Sequence, residues 1–322
     1  MTEEHDPGTG DGSPSSGDTT PRGVERERAD ESQYDADGIR AGLDAQYTVE
    51  YHETISSSND RARTLAETNA PETNGSETNA PETNGSETNA PETVVVADEQ
   101  TNPRGREGRA WASPSGGVWF SLLLWPAADA ADQPAFTLAM AVAVAEACRE
   151  TGVDARIKWP NDVIVDADDE RVETTAAPSR GGEKLCGVLT EAGESGGSRW
   201  LVIGVGLNAN VDRAALPADA GATSLRVERG ADVERRRLLQ RILERFDDLR
   251  GDLSAVLHAW RNHAETLGRR VRVETPDGVV VGEAVDVEFP GTLVVETDEG
   301  DRRAITTGDC EHLRPVDDSP EM

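Results

Sequence analysis

Three arginines and two lysines stand where this chain has the means to do chemistry on an anion. Arg104, Arg106 and Arg109 alternate with Gly105 and Gly108 inside the stretch from Gln100 to Ser121. Glycine lets a backbone turn tightly or approach a ligand closely, and guanidinium groups converging there hold phosphate or carboxylate through paired N–H donors. A solvated loop with incidental arginines has the same local pattern, so the flanks must decide. Of 32 basic residues only Lys158 and Lys184 are lysines. Both sit in blocks dense with functional side chains, Lys158-Trp159-Pro160-Asn161-Asp162 and Lys184-Leu185-Cys186-Gly187-Val188-Leu189. An ammonium is a compact charge on a mobile stem, so its retention at these two places in an arginine-rich chain points to a reaction centre.

The elements that must hold these residues follow from hydrophobic periodicity. Val94-Val95-Val96 reads as a buried strand leading into the arginine loop and Val118 to Trp125 as one leaving it. Val49 to His52 alternates like an edge strand; Ser57-Ser58-Asn59 then supplies a good cap for a short helix from Asp60 to Ala66. Asp132 starts a helix running to Glu150, with Gly152 placed to stop it. Its apolar residues Phe136, Leu138, Met140, Val142, Val144 and Cys148 lie on more than one face, which predicts a central helix covered on two sides. Arg156 to Trp159 and Val163 to Val165 read as strands about a Pro-Asn-Asp turn, and Leu185 to Leu189 and Trp200 to Val205 resume the sheet beyond an acidic loop. Leu238 to Leu249 and Leu253 to Leu267 keep helical spacing. Beyond Gly268, short alternating strands turn at Pro276-Asp277-Gly278, Pro290-Gly291 and Glu299-Gly300, the pattern of a small β-barrel. The fold class expected is α+β, a mixed sheet followed by that small barrel.

Composition bounds the rest. The formal net charge is −30 over 322 residues; residues 1–33 carry −6 and residues 67–92 another −6, which leaves −18 on the remainder. Acidity spread over the folded part reads as a surface adapted to concentrated salt, where the Debye length shrinks to roughly 3 Å. Folding and activity are therefore expected to weaken below about 0.5 M salt, where the Debye length exceeds roughly 4 Å; full activity at low ionic strength would exclude that adaptation. Residues 1–33 hold almost nothing apolar and are expected to be a disordered acidic tail. From Glu67 a ten-residue unit, Glu-Thr-Asn-Ala-Pro-Glu-Thr-Asn-Gly-Ser, runs twice and breaks off before Val94, with no apolar face to bury. Cys148, Cys186 and Cys310 are odd in number and far apart, so no disulfide framework is expected, and the five histidines show no metal-ligand spacing. The longest apolar run, Ala135 to Ala145, falls short of the roughly 20 residues of a bilayer span. With no leader pattern, a cytoplasmic location and no membrane partner are expected.

With Trp111, Ser113, Pro114 and Gly116 at their present spacing, the arginine loop resembles the biotin-binding loop of biotin protein ligases, whose usual pattern is Gln-Thr-x-Gly-Arg-Gly-Arg-x-Gly-Arg-x-Trp. The two lysine blocks and Gly204-Val205-Gly206-Leu207-Asn208 follow in that family's order, so the resemblance spans roughly Val49 to Pro315. It implies a catalytic domain of the biotin/lipoate protein ligase type over 45–266, with the repeat as an insert at 67–93, and the small barrel over 267–316. The implied reaction joins biotin and ATP, with Mg²⁺, into biotinyl-5′-adenylate, then passes biotin to a lysine of a biotin carboxyl carrier domain. Lys184 and Arg106 carry the chemistry in this reading. Ser57, Ser58, Asn59, Gln100, Arg104 and Gly105 join them at biotin, Ser58 standing where the family has threonine. Arg109, Trp111, Lys158, Asn161, Asp162, Gly204, Gly206 and Asn208 fall to the nucleotide, Asp162 also being the candidate magnesium ligand.

Several alternatives stay open on the residues themselves. Gly204 and Gly206 admit a close nucleotide or simply pack strands tightly, and Trp111 walls the adenylate or is a core tryptophan. Lipoate ligases share the chemistry but have a different glycine-rich loop and lack Lys-Trp-Pro-Asn-Asp. Pro103 stands where the family has glycine, losing a backbone donor, and Glu107 adds an acid to the loop, so a degenerate biotin-binding protein is the non-catalytic alternative. Nothing before residue 49 has the helical periodicity of a winged helix, and no face is basic, so no nucleic-acid binding is expected. Monomer and homodimer are both compatible with the pattern.

Overall fold

The computed structural model describes residues 34–43, 47–70, 91–109, 111–126, 130–166, 181–217 and 221–313. The acidic stretch 1–33, most of the repeat (71–90) and most of the acidic loop (167–180) lie outside the described residues. A short helix α1 (Ala36–Arg40) precedes β1 (Thr48–Ile55), α2 (Ser58–Thr68), β2 (Thr93–Gln100) and β3 (Val118–Leu124). Then come α3 (Gln133–Glu150), β4 (Ala155–Lys158), β5 (Asp162–Val165), β6 (Glu183–Ser195) and β7 (Ser198–Leu207). Helices α4 (Leu225–Arg229), α5 (Arg235–Arg250) and α6 (Leu253–His263) lead to β8 (Arg270–Thr275), β9 (Gly278–Glu288), β10 (Thr292–Thr297), β11 (Arg302–Ile305) and β12 (Asp309–His312).

Among the described residues the first seven strands form one mixed sheet, ordered β1-β2-β3-β7-β6-β5-β4, with β1 and β2 parallel and every other pair antiparallel. Strand alternation gives the sheet two unlike faces. Along β7, Leu201, Ile203, Val205 and Leu207 join the main core, while Trp200 and Val202 turn to the other side and meet Ala62 and Ala66 of α2. The main core is capped by α3, of whose eighteen residues twelve are buried. That helix is too apolar to face water on any side, so α5 and α6 cover what the sheet does not. Thr151 follows its last turn, and Gly152 at φ +94° reverses the chain as the pattern required.

Helix α2 begins two residues before the expected Asp60. Ser57 is its cap and accepts a hydrogen bond from the Asp60 N–H at 3.3 Å, so Ser58 and Asn59 lie in its first turn, buried against the sheet. The helix also runs on to Thr68, and Ala70 packs against the cluster that holds Trp125 and Trp200, so the first residues of the repeat belong to the folded body. Thr93 at the far end is buried and pairs with Thr48. Replacing 71–90 by a short Gly-Ser link should leave the denaturation free energy within about 1 kcal/mol of the parent, since closure entropy changes by only about 0.6 kcal/mol per doubling of loop length. A loss of several kcal/mol in urea unfolding would mean that the insert packs on the body.

The last five strands form an antiparallel sheet ordered β11-β10-β9-β8-β12, whose two edges do not pair with one another among the described residues. Its inward residues Val271, Val273, Ala284, Val287, Leu293 and Val295 are continuous with the main core. Trp159 is the hinge pin between the parts. Its backbone N–H donates to Thr266 Oγ1 and its indole N–H to the Gly291 carbonyl, both at 2.9 Å. Thr266 in turn hydrogen-bonds His312 Nε2 at 3.1 Å, and burial beside Lys158 and Arg269 pulls that imidazole down to about 3. The C-terminal sheet is thereby held against the β4–β5 turn, next to Asn161 and Asp162.

Candidate active site

The face of the sheet turned away from α3 changes character partway along. Where α2 ends, large side chains fill it; toward the arginine loop β6 and β7 carry glycine at 187, 204 and 206. Gly187 of β6 lies opposite Gly206 of β7, which lies opposite Trp119 of β3; in the next row Leu189, Gly204 and Ser121 stand side by side. Missing side chains leave a hollow, and the arginine loop and the N-terminus of α2 close over it. The result is a cleft of about 650 Å³ lined by all sixteen residues singled out from the sequence, from Ser57 to Asn208.

The glycines are needed here for close packing onto functional side chains. A Cβ built on Gly204 would sit 2.0 Å from Asn59 Oδ1, and one on Gly206 would sit 2.7 Å from Trp111 Nε1. Strand-to-strand crowding is not the cause, because it is the site's own residues that occupy the space. In the loop, Gly108 takes φ +71°, whereas Gly105 has an ordinary φ of −96° and accepts no special conformation. One 3₁₀ turn, Arg106–Gly108, is closed by the Arg109 N–H donating to the Arg106 carbonyl at 3.0 Å, and the Gly105 N–H ties across it to the Arg109 carbonyl at 2.7 Å.

Two neighbouring residues hold the two central cations. Arg106 Nη1 donates to Asn161 Oδ1 at 3.1 Å, and Lys184 Nζ lies 2.7 Å from Asp162 Oδ1. Lys184 also stands over the Trp111 ring, 5.0 Å from its centroid, and Trp111 keeps a buried indole N–H without a partner among the described residues. Asn161 is itself fixed by donating to the Val188 carbonyl at 2.6 Å. The second terminal nitrogen of Arg106 donates to the Gly308 carbonyl at 3.0 Å, and Arg109 pairs with Asp309 at 2.9 Å, so the β11–β12 turn of the C-terminal sheet forms one wall.

The opposite wall is a polar cluster. Gln100 Oε1 accepts from the Ser58 N–H at 2.8 Å and from its hydroxyl at 3.0 Å, while Gln100 Nε2 donates to Ser113 Oγ at 3.0 Å. Gln100, while lining the cleft, thus ties the N-terminus of α2 to the far end of the loop. Arg104, expected to grip an anion, has one terminal nitrogen engaged by Asp60 at 2.6 Å and by Glu191 at 3.2 Å. Asn208 is structural in its amide, which donates to the Thr223 carbonyl at 2.9 Å. Lys158 lines the cleft beside Cys310, whose thiol is pushed up to about 12 by burial. Burial raises the Cys186 thiol as well, so neither cysteine offers a thiolate. Sequence reading passed over Asp60, Ser121, Glu191 and Asp309 as site residues. Glu191 carried a signal, the even spacing from Gly187 and Leu189 along β6; Asp309 carried none, because only the folding-back of the last sheet brings it here.

A second hollow, of about 500 Å³, lies between α3, α4 and α5, far from these residues. Its arginines are spent locally, Arg241 on Glu150 at 2.8 Å and Arg229 on the Thr151 carbonyl at 2.7 Å.

Residues 71–208 match the biotin/lipoate A/B protein ligase family, and residues 266–313 match the biotin protein ligase C terminal domain. The bifunctional ligase/repressor BirA of Bacillus subtilis (strain 168) is 32% identical over 273 residues, 82% of this chain and 73% of that protein. The biotin--[acetyl-CoA-carboxylase] ligase of Mycobacterium tuberculosis is 32% identical over 242 residues, 69% of this chain and 79% of its own length. Among solved structures, the biotin protein ligase from Aquifex aeolicus in complex with biotin and ATP superposes with a TM-score of 0.61 at 26% identity, covering 83% of this chain and 99% of that one.

Proposed function

Since this chain belongs to the biotin protein ligase family, we propose that the cleft over Gly187, Gly204 and Gly206 is where it performs both halves of that family's reaction. The protein is an ATP-dependent biotin ligase that activates biotin as biotinyl-5′-AMP and transfers the biotinyl group to a lysine of an acceptor protein. We assign the acceptor to the biotin carboxyl carrier domain of a carboxylase, in line with the substrate in the names of the Mycobacterium tuberculosis and Paracoccus denitrificans relatives. The catalytic domain is taken as 45–266 and the C-terminal domain as 267–316, consistent with the first strand of the last sheet at Arg270.

The observation that carries the site assignment is the pairing of the two cations with adjacent residues, Arg106 on Asn161 and Lys184 on Asp162. In the first step a biotin carboxylate oxygen bonds to the α-phosphorus of ATP and the bridging oxygen leaves with pyrophosphate. Two anions must meet, so positive charge fixed in advance lowers the barrier without reorganisation. Arg106 offers a rigid fork and Lys184 a charge that follows the electron density, each oriented by its neighbour. Trp111 lies across Gly206 and helps keep water from the mixed anhydride. Ser57, Ser58 and Asn59 face the biotin side; Arg109, Lys158, Asn161 and Asn208 face the nucleotide side. In the second step the acceptor amine attacks the acyl carbon and AMP leaves.

Magnesium would enter with ATP and neutralise part of its triphosphate charge. Among the described residues no three His, Cys, Asp or Glu side chains cluster as an all-protein cage. Asp162 offers one carboxylate, a fit to an ion that keeps most of its waters and leans on substrate phosphates.

The test is to incubate the purified protein in high salt with ATP, magnesium and either biotin or lipoate, then add a carrier domain. Biotinyl-adenylate and labelled carrier are expected. Lipoyl-adenylate alone would move the protein to lipoate chemistry, and tight biotin binding with no adenylate would make it a degenerate binder. No described helix is long and apolar enough to cross a membrane.

A further inference from the structure

One carboxylate ties the two walls of the biotin side together. Glu191 Oε2 accepts from Asn59 Nδ2 at 2.9 Å, and Glu191 Oε1 lies 3.2 Å from Arg104 Nη2. Asn59 Oδ1 accepts in turn from the Ser121 hydroxyl at 2.5 Å, and Ser121 Oγ lies 2.8 Å from Ser58 Oγ, which reaches Gln100. A continuous polar chain therefore runs from Arg104, before the 3₁₀ turn of the loop, through the α2 residues to Gln100 and on to Ser113 beyond it. Without Glu191 this chain has no link between Asn59 and the arginine.

The engagement of Arg104 is one-sided. Asp60 and Glu191 both hold the same terminal nitrogen, and the Nε donor stays buried with no partner among the described residues. A buried N–H left unmade is costly. Two acids gripping one corner of the guanidinium fix its plane at the cleft wall, with Nε enclosed behind it. Arg63 completes the cluster, 2.7 Å from Asp60 and 3.6 Å from Glu191, so the acids are balanced and are not themselves driven to seek a further cation.

We propose that Glu191 is a positioning residue for adenylation: by holding Arg104 and Asn59 at once, it fixes both side chains in the wall of the cleft that receives biotin. The inference rests on the biotin-ligase reading of the cleft. It differs from the simpler possibility that Glu191 occupies Arg104 in competition with substrate, and the two predict opposite signs. Glu191→Gln keeps an oxygen for Asn59 but loses the charge that holds Arg104. Positioning then predicts a KM for biotin raised roughly 10-fold, with kcat within a few-fold and Tm almost unmoved, because a partly exposed pair adds little to stability. Competition predicts a lower KM.

The experiment measures biotinyl-adenylate formation in high salt for the parent, Glu191→Gln, Arg104→Gln and the double variant, with Tm for each. A double variant no worse than Arg104→Gln alone supports the proposal, since both changes then act through one contact. Unchanged or lowered KM in Glu191→Gln, or effects that simply multiply in the double variant, overturns it. Should Glu191→Gln fold poorly, the double variant, which leaves no unpaired charge behind, carries the comparison. A parent protein that makes no biotinyl-adenylate would instead count against the functional reading itself.

Discussion

Replacing Gly204 with alanine should raise the biotin concentration needed for adenylate formation by roughly 10² while the sheet stays folded. The added methyl would fall 2.0 Å from Asn59 Oδ1, a distance that side chains never tolerate. Strand backbone does not stand in the way, so the relief comes from the asparagine, which must swing out. It then abandons the bonds from Ser121 and to Glu191, and the wall that positions biotin comes apart at its centre. A misplacement of about 1 Å at a reacting group is enough to cost a factor of roughly 10². Gly206→Ala should act on the other substrate, because its methyl presses the Trp111 indole, so the KM for ATP is expected to rise more than that for biotin. Calorimetric biotin binding separates the two variants. If Gly204→Ala binds biotin as the parent does, Asn59 is not part of the pocket.

Function is most legible in this sequence where it is local. Ser57, Gln100, the arginine loop, Lys158 to Asp162, Lys184 and Gly204 to Asn208 each announce themselves within a few residues, and the cleft gathers all of them. Roles were harder to read than places. Gln100 and Arg104 line the cleft, but their bonds to Ser58, Ser113, Asp60 and Glu191 cross between elements and follow from no spacing rule. Burial made the difference at α3, whose uniform apolarity announced two-sided packing, and at β6, which continues to Ser195 because it pairs with β7 residue by residue beyond the apolar Leu189. The contact of Gly308 and Asp309 with Arg106 and Arg109 spans about two hundred residues and depends on how Trp159 and Thr266 seat the last sheet. Such a contact has no local signature.

Changing Lys184 to arginine should slow adenylation by roughly 10² or more, the scale of losing one preorganised electrostatic donor, with folding and much of the ATP binding kept. The chain uses arginine at 30 of its 32 basic positions, so arginine is not excluded here by any general preference. Space is what limits it. Lys184 passes over Gly187, where even a Cβ would lie 3.2 Å from its Nζ, and stands against the Trp111 ring. A guanidinium in that slot has to displace the tryptophan or turn toward Asp162. There it would form a two-pronged pair with the carboxylate that now holds Nζ at 2.7 Å, and a fork so held cannot follow charge from carboxylate to phosphate. Lys184→Gln should be at least as slow, because it removes the charge and strands Asp162. Lys158→Arg should be milder, since that residue lies on the rim strand beside the C-terminal sheet. Pre-steady-state formation of biotinyl-adenylate in high salt, measured for the three variants, decides the matter. If Lys184→Arg runs within a few-fold of the parent, Lys184 serves only as a binding charge, and the central role passes to Arg106, whose fork is already seated on Asn161 and Gly308.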